Sequence, residues 1–227
     1  MKKTVFYTEA AYLLGIVLLA FGTSLMELAD FGMSMIVAPA YLLHLKLSQI
    51  LPFFSFGMAE YTLQAVLIVL TAVILRRFKL SYPISFLTAL FYGLLLDGFM
   101  LLMSGLPAEG IALRIVYYCV GMGFCTAGVA MLFRTYISPE AYELFVMELS
   151  AKYNFKLSRV KTVYDCTSCV IAILLSFLFF GFGHFEGIKA GTVICALING
   201  WLIGRFGVLY EKLFTFEDRF PLRKYFN

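Results

Sequence analysis

Ala89-Leu90-Phe91-Tyr92-Gly93-Leu94-Leu95-Leu96-Asp97-Gly98-Phe99 is matched later in the chain by Ala196-Leu197-Ile198-Asn199-Gly200-Trp201-Leu202-Ile203-Gly204-Arg205-Phe206. The pattern A-L-x-x-G-x-x-x-x-x-F recurs without a gap. Working outward, each copy closes a longer unit: a glycine-bearing apolar span, a broken polar turn that opens a short helix, and two further apolar spans. A unit with an odd number of crossings inserts its second copy upside down when it is duplicated, and inverted repeats of this kind build many secondary transporters. The repetition predicts an architecture and leaves the substrate open.

The chain has 227 residues, 62% hydrophobic and only 14% charged. A soluble domain of this size cannot bury that much apolar surface, so the chain belongs in a bilayer. A crossing helix needs about 20 apolar residues, and only helices or closed barrels satisfy every backbone group in lipid. The apolar runs are continuous rather than alternating, which excludes a barrel. Six spans are predicted: Ala10–Met26, Gly57–Leu75, Tyr82–Met103, Ile111–Phe133, Thr162–Gly181 and Gly187–Leu209. With the N-terminus cytoplasmic, fifteen of the 18 Lys and Arg residues fall inside, Lys161 among them, and only Lys46, Arg114 and Lys189 fall outside. That asymmetry follows the positive-inside rule and predicts both termini in the cytoplasm. Met1-Lys2-Lys3 before an apolar run imitates a signal peptide, but no small-x-small cleavage site follows, so the first span is read as a retained anchor. The net charge of +4 comes from residues flanking helices beside an anionic leaflet and does not call for nucleic acid.

All five cysteines, Cys119, Cys125, Cys166, Cys169 and Cys195, fall within spans. Cys166-x-x-Cys169 on a helix places two small side chains on one face, and His44 and His184 are too distant in sequence to complete a metal site. No metal and no cofactor is expected. HExxH, GxSxG and Walker sequences are absent, so no enzyme is expected either.

The halves correspond in detail. Gly22-Thr23-Ser24-Leu25-Met26 aligns with Gly128-Val129-Ala130-Met131-Leu132, and each then meets polar residues, Glu27 and Asp30 in one copy, Arg134 and Thr135 in the other. Gly32-Met33-Ser34 and Ile137-Ser138-Pro139 both read as helix starts with Ser at the N-cap. The short helices, 34–46 and 138–153, differ. Met35–Lys46 is apolar nearly all round and too short to span, which predicts a re-entrant piece in the outer leaflet. In the second, Tyr142, Phe145, Val146, Leu149 and Tyr153 share one face while Glu140, Glu143, Ala151 and Asn154 lie on or near the other, an amphipathic helix suited to the cytoplasmic interface. The Glu27–Ser34 turn lines a cavity if protein or water covers it at that depth, and is otherwise an interfacial loop.

Ionisable groups inside a membrane are expensive and mark function or pairing. Asp97 stands without a polar neighbour in the third span. It can pair with Arg205 across the repeat interface, or join Glu27 and Asp30 in an acidic cluster at an outer vestibule. Arg134, Asp165 and Arg205 lie toward the inner side, where snorkelling also accounts for the arginines and a first-turn position at the helix dipole for Asp165. Asn199, Gln64 and Glu60 complete the set, with Asn199 and Gln64 also suited to interhelical hydrogen bonding. The candidate substrate or ion site is therefore Glu27, Asp30, Asp97, Arg134, Asp165, Asn199 and Arg205.

The glycine-bearing first span, the Asp30-Phe31-Gly32-Met33-Ser34 turn, and above all Gly191-Thr192-Val193-Ile194-Cys195-Ala196-Leu197-Ile198-Asn199-Gly200 resemble the YczE/YitT group of bacterial integral membrane proteins. The last stretch is similar to that group's G-T-x-x-x-A-x-x-x-G-P-x-I signature, with Trp201 where the proline is usual. The resemblance implies a multi-pass protein of the bacterial inner membrane and assigns no functional residue. The expectation is thus an all-α transmembrane bundle of six spans, built from two inverted three-helix repeats, 1–105 and 106–227. Its expected role is a small secondary transporter or channel with a pathway at the repeat interface. The alternative is an accessory protein that binds a partner through the amphipathic helix or the basic tail Glu211–Asn227. Expected partners are the lipid bilayer and a small molecule or ion, with self-association or a protein partner open, and no nucleic acid.

Overall fold

Long, continuous apolar runs leave the backbone one way to satisfy itself in lipid, the helix, and the chain takes it. In the computed structural model, described over residues 3–32, 34–76, 78–79, 81–183, 188–221 and 223, six helices are long and apolar enough to cross a membrane. They are α1 (Thr8–Ala29), α3 (Phe56–Leu75), α4 (Ser81–Met103), α5 (Ile111–Leu132), α7 (Leu157–Phe180) and α8 (Ala190–Leu213). Each matches a predicted span to within a few residues. Two shorter helices, α2 (Ala38–Leu47) and α6 (Ala141–Tyr153), follow α1 and α5. Expectations placed on Met1, Lys2, Met33, Arg77, His184, Gly187, Lys224 and Tyr225 lie outside the described residues.

The helix starts differ from the serine caps read in the sequence. Val37, not Ser34, precedes α2, and Glu140, not Ser138, precedes α6. Pro39 sits in the first turn of α2, where its missing N–H costs nothing. A serine cap works only if its side-chain oxygen accepts a backbone N–H of its own helix; the Ser34 hydroxyl instead lies 3.5 Å from the Met35 sulfur, and the Ser138 carbonyl accepts from Thr88 of α4.

α1 and α5 form the central contact. A Cβ on Gly22 would stand 2.5 Å from the carbonyl oxygen of Gly121, one on Gly121 2.7 Å from that of Gly22, and one on Gly128 2.6 Å from that of Gly15. The two glycine pairs run in opposite order along the two helices, so α1 and α5 are antiparallel and touch backbone to backbone. Around this axis α4 packs on α1 and α8 on α5; α3 pairs with α4 and α7 with α8; α2 and α6 each lie against both α3 and α7. Outward-facing Val69, Val73, Leu94, Leu101, Leu174 and Leu178 are largely exposed, a surface that is stable when hydrocarbon is the solvent.

A feature absent from the predicted helices joins the chain's two ends. β1 (Thr4–Tyr7) pairs in parallel with β2 (Phe214–Glu217), Thr4 opposite Phe214. The start of α1 and the end of α8 therefore lie on one face of the bundle. Glu9 reinforces the join by accepting hydrogen bonds from the backbone N–H groups of Arg219 (3.1 Å) and Phe220 (3.0 Å) and from the Tyr136 hydroxyl (2.8 Å). The segment from Glu211 to Phe220 is accordingly docked on the bundle rather than extended from it.

Replacing Gly22 or Gly121 by alanine drives a methyl into a backbone carbonyl that has no room to move. Each variant is expected to lose about 1–3 kcal/mol of stability in detergent. Gly123→Ala, whose Cβ meets nothing within 4 Å, is the control and should melt at or above the wild-type temperature.

Candidate functional site

The polar residues that the bundle buries converge where α6 meets α3 and α7. Gln64 on α3 organises the first layer. Its side-chain carbonyl accepts the backbone N–H of Ala141 at 2.9 Å, supplying the N-terminal cap that α6 lacks. Its amide nitrogen donates to Glu140 Oε2 at 3.0 Å and to Glu60 Oε2 at 3.3 Å. The Tyr142 hydroxyl donates to the same Glu60 oxygen at 3.1 Å. The turn entering α6 is pinned from α4, whose Ser85 and Thr88 hydroxyls donate to the carbonyls of Pro139 (2.7 Å) and Ser138 (2.9 Å).

Lys161 on α7 organises the second layer. Its ammonium lies 3.2 Å from Glu143 Oε1 and 3.1 Å from Asp165 Oδ1, while Asn199 of α8 donates to Asp165 Oδ2 at 3.0 Å. Glu60, Gln64, Lys161 and Asp165 are 0% exposed, Glu140 1% and Glu143 2%. Four buried carboxyl groups thus surround one ammonium that contacts only two of them, Glu143 and Asp165, in a medium that penalises unpaired charge. Glu60 Oε1, Glu140 Oε1 and Glu143 Oε2 have no hydrogen-bond partner among the described residues. Burial, reinforced by the charges of Glu143 and Glu60, pushes the Glu140 carboxyl well above the usual carboxylate range. The surplus negative charge must be carried as protons or balanced by a bound cation. Beside the cluster lies a small cavity of about 20 Å³, lined among others by Thr23, Tyr92, Cys125, Glu140, Glu143 and Asn199.

Of the residues singled out in the sequence, Asp165 and Asn199 belong to this cluster. Asp165 is not in a first helical turn: α7 begins at Leu157, so Asp165 sits in the buried middle of the bundle and is held by Lys161 rather than by the helix dipole. Asp97 accepts from the Ser55 hydroxyl (2.7 Å) and the Gly57 N–H (2.9 Å), and so caps the start of α3. Glu27 is half-buried near the end of α1. Asp30 ends α1 in the left-handed conformation (φ 53°), with its carboxylate between Arg114, at 2.7 Å, and Lys189. Arg134 pairs with Glu211 at 2.8 Å. Arg205 is exposed, its guanidinium 5.1 Å from the Trp201 ring, and does not meet Asp97. Two of the three carboxylates assigned to an outer vestibule are thus claimed separately, Asp97 by a helix start and Asp30 by two cations.

Sequence reasoning placed Glu140 and Glu143 on the polar face of an interfacial helix and Lys161 among the flanking cations. All three are buried. A helical wheel separates polar from apolar faces but cannot say whether the polar face meets water or the polar side chains of other helices. The available signal was spacing: Glu60 with Gln64 and Lys161 with Asp165 are both polar pairs four residues apart, each stacked on one helix face inside or at the edge of a span.

The chain belongs to the DUF6198 family, described as a family of unknown function. The match covers residues 6–207, which include every residue of the cluster and stop short of β2. No curated protein and no solved structure matches the chain. For this DUF6198 protein the site must therefore be read from its own chemistry.

Lys161→Met leaves Glu143 and Asp165 facing each other without their cation and is expected to lower stability by about 3–5 kcal/mol. Adding Asp165→Asn to that variant removes one of the orphaned charges and should recover part of the loss. Denaturant titration of the two variants in detergent checks both statements.

Proposed function

We propose that this protein is a small secondary transporter whose two halves, 1–105 and 106–227, are inverted three-span repeats with a pathway along their interface. The observation that carries the reading is the cluster itself. Carboxyl groups in excess of cations, sealed among apolar helices contributed by both halves, are costly to keep and suit a site that takes up and releases charge.

The packing supports the inverted relation. The two first helices, α1 and α5, are antiparallel, as an inversion requires. The turn after α1 is held by the starts of α5 and α8, through Arg114 and Lys189 on Asp30 and through Gly191 on the Phe31 carbonyl. The turn after α5 is held by the starts of α1 and α4, through Glu9 on Tyr136 and through Ser85 and Thr88 on Pro139 and Ser138. Exchanging the halves maps one set of contacts onto the other. Membership of the wider YczE/YitT group, an inner-membrane location and cytoplasmic termini belong to the same proposal. They rest on the motif resemblance and on the basic residues that flank the β1–β2 face. The accessory-protein alternative is weakened because the polar face of α6 is turned inward, with Glu140 and Glu143 buried, and Glu211–Phe220 is docked. No catalytic role is proposed.

Proteoliposomes containing the full chain, challenged with alkali cations, protons and a panel of small organic solutes, should show flux above empty vesicles. Glu143→Gln is expected to slow it by about tenfold or more, equivalent to roughly 1.4 kcal/mol on the barrier. Asp97→Asn, which alters a helix cap, should leave the flux of folded protein unchanged. Tight vesicles with every solute of the panel would overturn the reading.

A further inference from the structure

α3 and α7 scarcely touch each other, since α6 stands against both and so does α2. Between them, with α6 as the third wall, lies a groove of about 730 Å³, within the roughly 300–1,000 Å³ of sites that hold small molecules. Its walls are hydrocarbon: Leu70 and Ile74 of α3, Phe145 and Leu149 of α6, Val163 and Ile171 of α7. Leu70, Ile74, Val163 and Ile171 are exposed, as are Val69, Val73 and Leu174 beside them, so the groove is continuous with the surface that faces lipid. It is reached from the bilayer.

One end of the groove has a different chemistry. Lys156 and Arg159 line it where α6 gives way to α7, and Lys152 stands in the last turn of α6. All three are exposed, and among the described residues none of them forms an ion pair. The chain has no acidic residue between Glu148, which Lys79 holds at 2.6 Å, and Asp165, which Lys161 holds. Tyr153 and Phe155, exposed and stacked with their rings 6.1 Å apart, mark the same end, as aromatic residues do at headgroup depth. On α7 the lining runs along one face from Arg159 to Ile171, a rise of about 18 Å at 1.5 Å per residue. One leaflet supplies half of a hydrocarbon core of roughly 30 Å. The groove therefore has about the length of one acyl chain, with its cations where the headgroup of that chain lies.

We infer that the groove between α3 and α7 binds an anionic glycerophospholipid of the bilayer, one acyl chain along Leu70, Val163 and Ile171 and the phosphate on Lys156 and Arg159. A zwitterionic headgroup brings its own cation against three that are unpaired, and binds less well. A second copy of the chain is disfavoured, because a two-fold contact between like faces sets both groups of cations at the same edge of one interface. The site does not depend on the transport reading.

Binding is measured without flux. The full chain, washed free of lipid in a neutral detergent, is melted with phosphatidylglycerol or phosphatidylcholine of the same acyl chains, or with inorganic phosphate. Unfolding is followed by a thiol-reactive dye that reports exposure of the buried Cys125 and Cys195. At a hundred times its apparent Kd, phosphatidylglycerol should raise the melting temperature by about 5 °C or more, and phosphatidylcholine at the same concentration should raise it less. Lys156→Ala with Arg159→Ala, both at exposed positions, should abolish the difference between the two lipids. Lys3→Ala with Lys212→Ala, which removes as much charge outside the groove, should keep it. Leu70→Trp, which fills the hydrocarbon wall and leaves both cations in place, should weaken the apparent affinity for phosphatidylglycerol at least tenfold. Equal shifts with the two lipids, a difference that survives loss of Lys156 and Arg159, or the same shift with inorganic phosphate alone would overturn the inference. So would a lipid-free chain that is dimeric by light scattering and becomes monomeric on Leu70→Trp, which would assign the groove to a second copy.

Discussion

Where Gly22 meets the carbonyl of Gly121, no side chain separates α1 from α5, and the rest of the bundle is arranged by that closeness. Lipid provides no hydrophobic drive for helices to associate, so association rests on dispersion between surfaces that fit closely and on polar contacts that they shelter. Two glycine pairs in antiparallel register bring Thr23 and Cys125 to 3.6 Å and place the ends of both helices beside the turns of the opposite half. α4 and α8 then pack on this pair from either side, α3 and α7 on them in turn, and α2 and α6 fill the spaces left between.

The polar interior follows from the same geometry. α6 is too short to cross a bilayer and brings Glu140, Tyr142 and Glu143 inward, where Gln64 and Lys161 receive them. Buried ion pairs rarely stabilise a fold more than apolar residues of the same volume would, so an interior with more acids than bases is a poor way to hold helices together. That imbalance distinguishes the cluster from the Asp97 cap and the Asp30 clamp. In each of those, carboxylate oxygens meet donors or cations directly, and structure accounts for the residue. The three basic residues assigned to the outer side have comparable duties: Arg114 and Lys189 hold Asp30, and Lys46 donates to the Phe179 carbonyl at the end of α7.

The spans were legible to within a few residues because a continuous apolar run of about twenty residues has one stable form in lipid whatever surrounds it. Asp165 and Asn199 were legible as polar residues in an expensive place, and Glu60 and Gln64 as companions. Glu140, Glu143 and Lys161 were not. A basic residue near a span end reads as a flanking cation, and acids on a short helix read as a wetted face, until the packing around them is known. The pairing of β1 with β2 was equally hidden, since four-residue strands have no periodicity to display and need each other to form.

By itself, then, the order of residues determined which stretches form helices long and apolar enough to cross lipid, and that a polar turn and a short helix follow the first and the fourth of them, because these depend on local hydrophobicity and backbone satisfaction. Only the tertiary structure decided which carboxylates share an interior and which are capped at its edge. That outcome depends on which helix lies against which, and glycines spaced along α1 and α5 reveal their partners only when the two backbones touch.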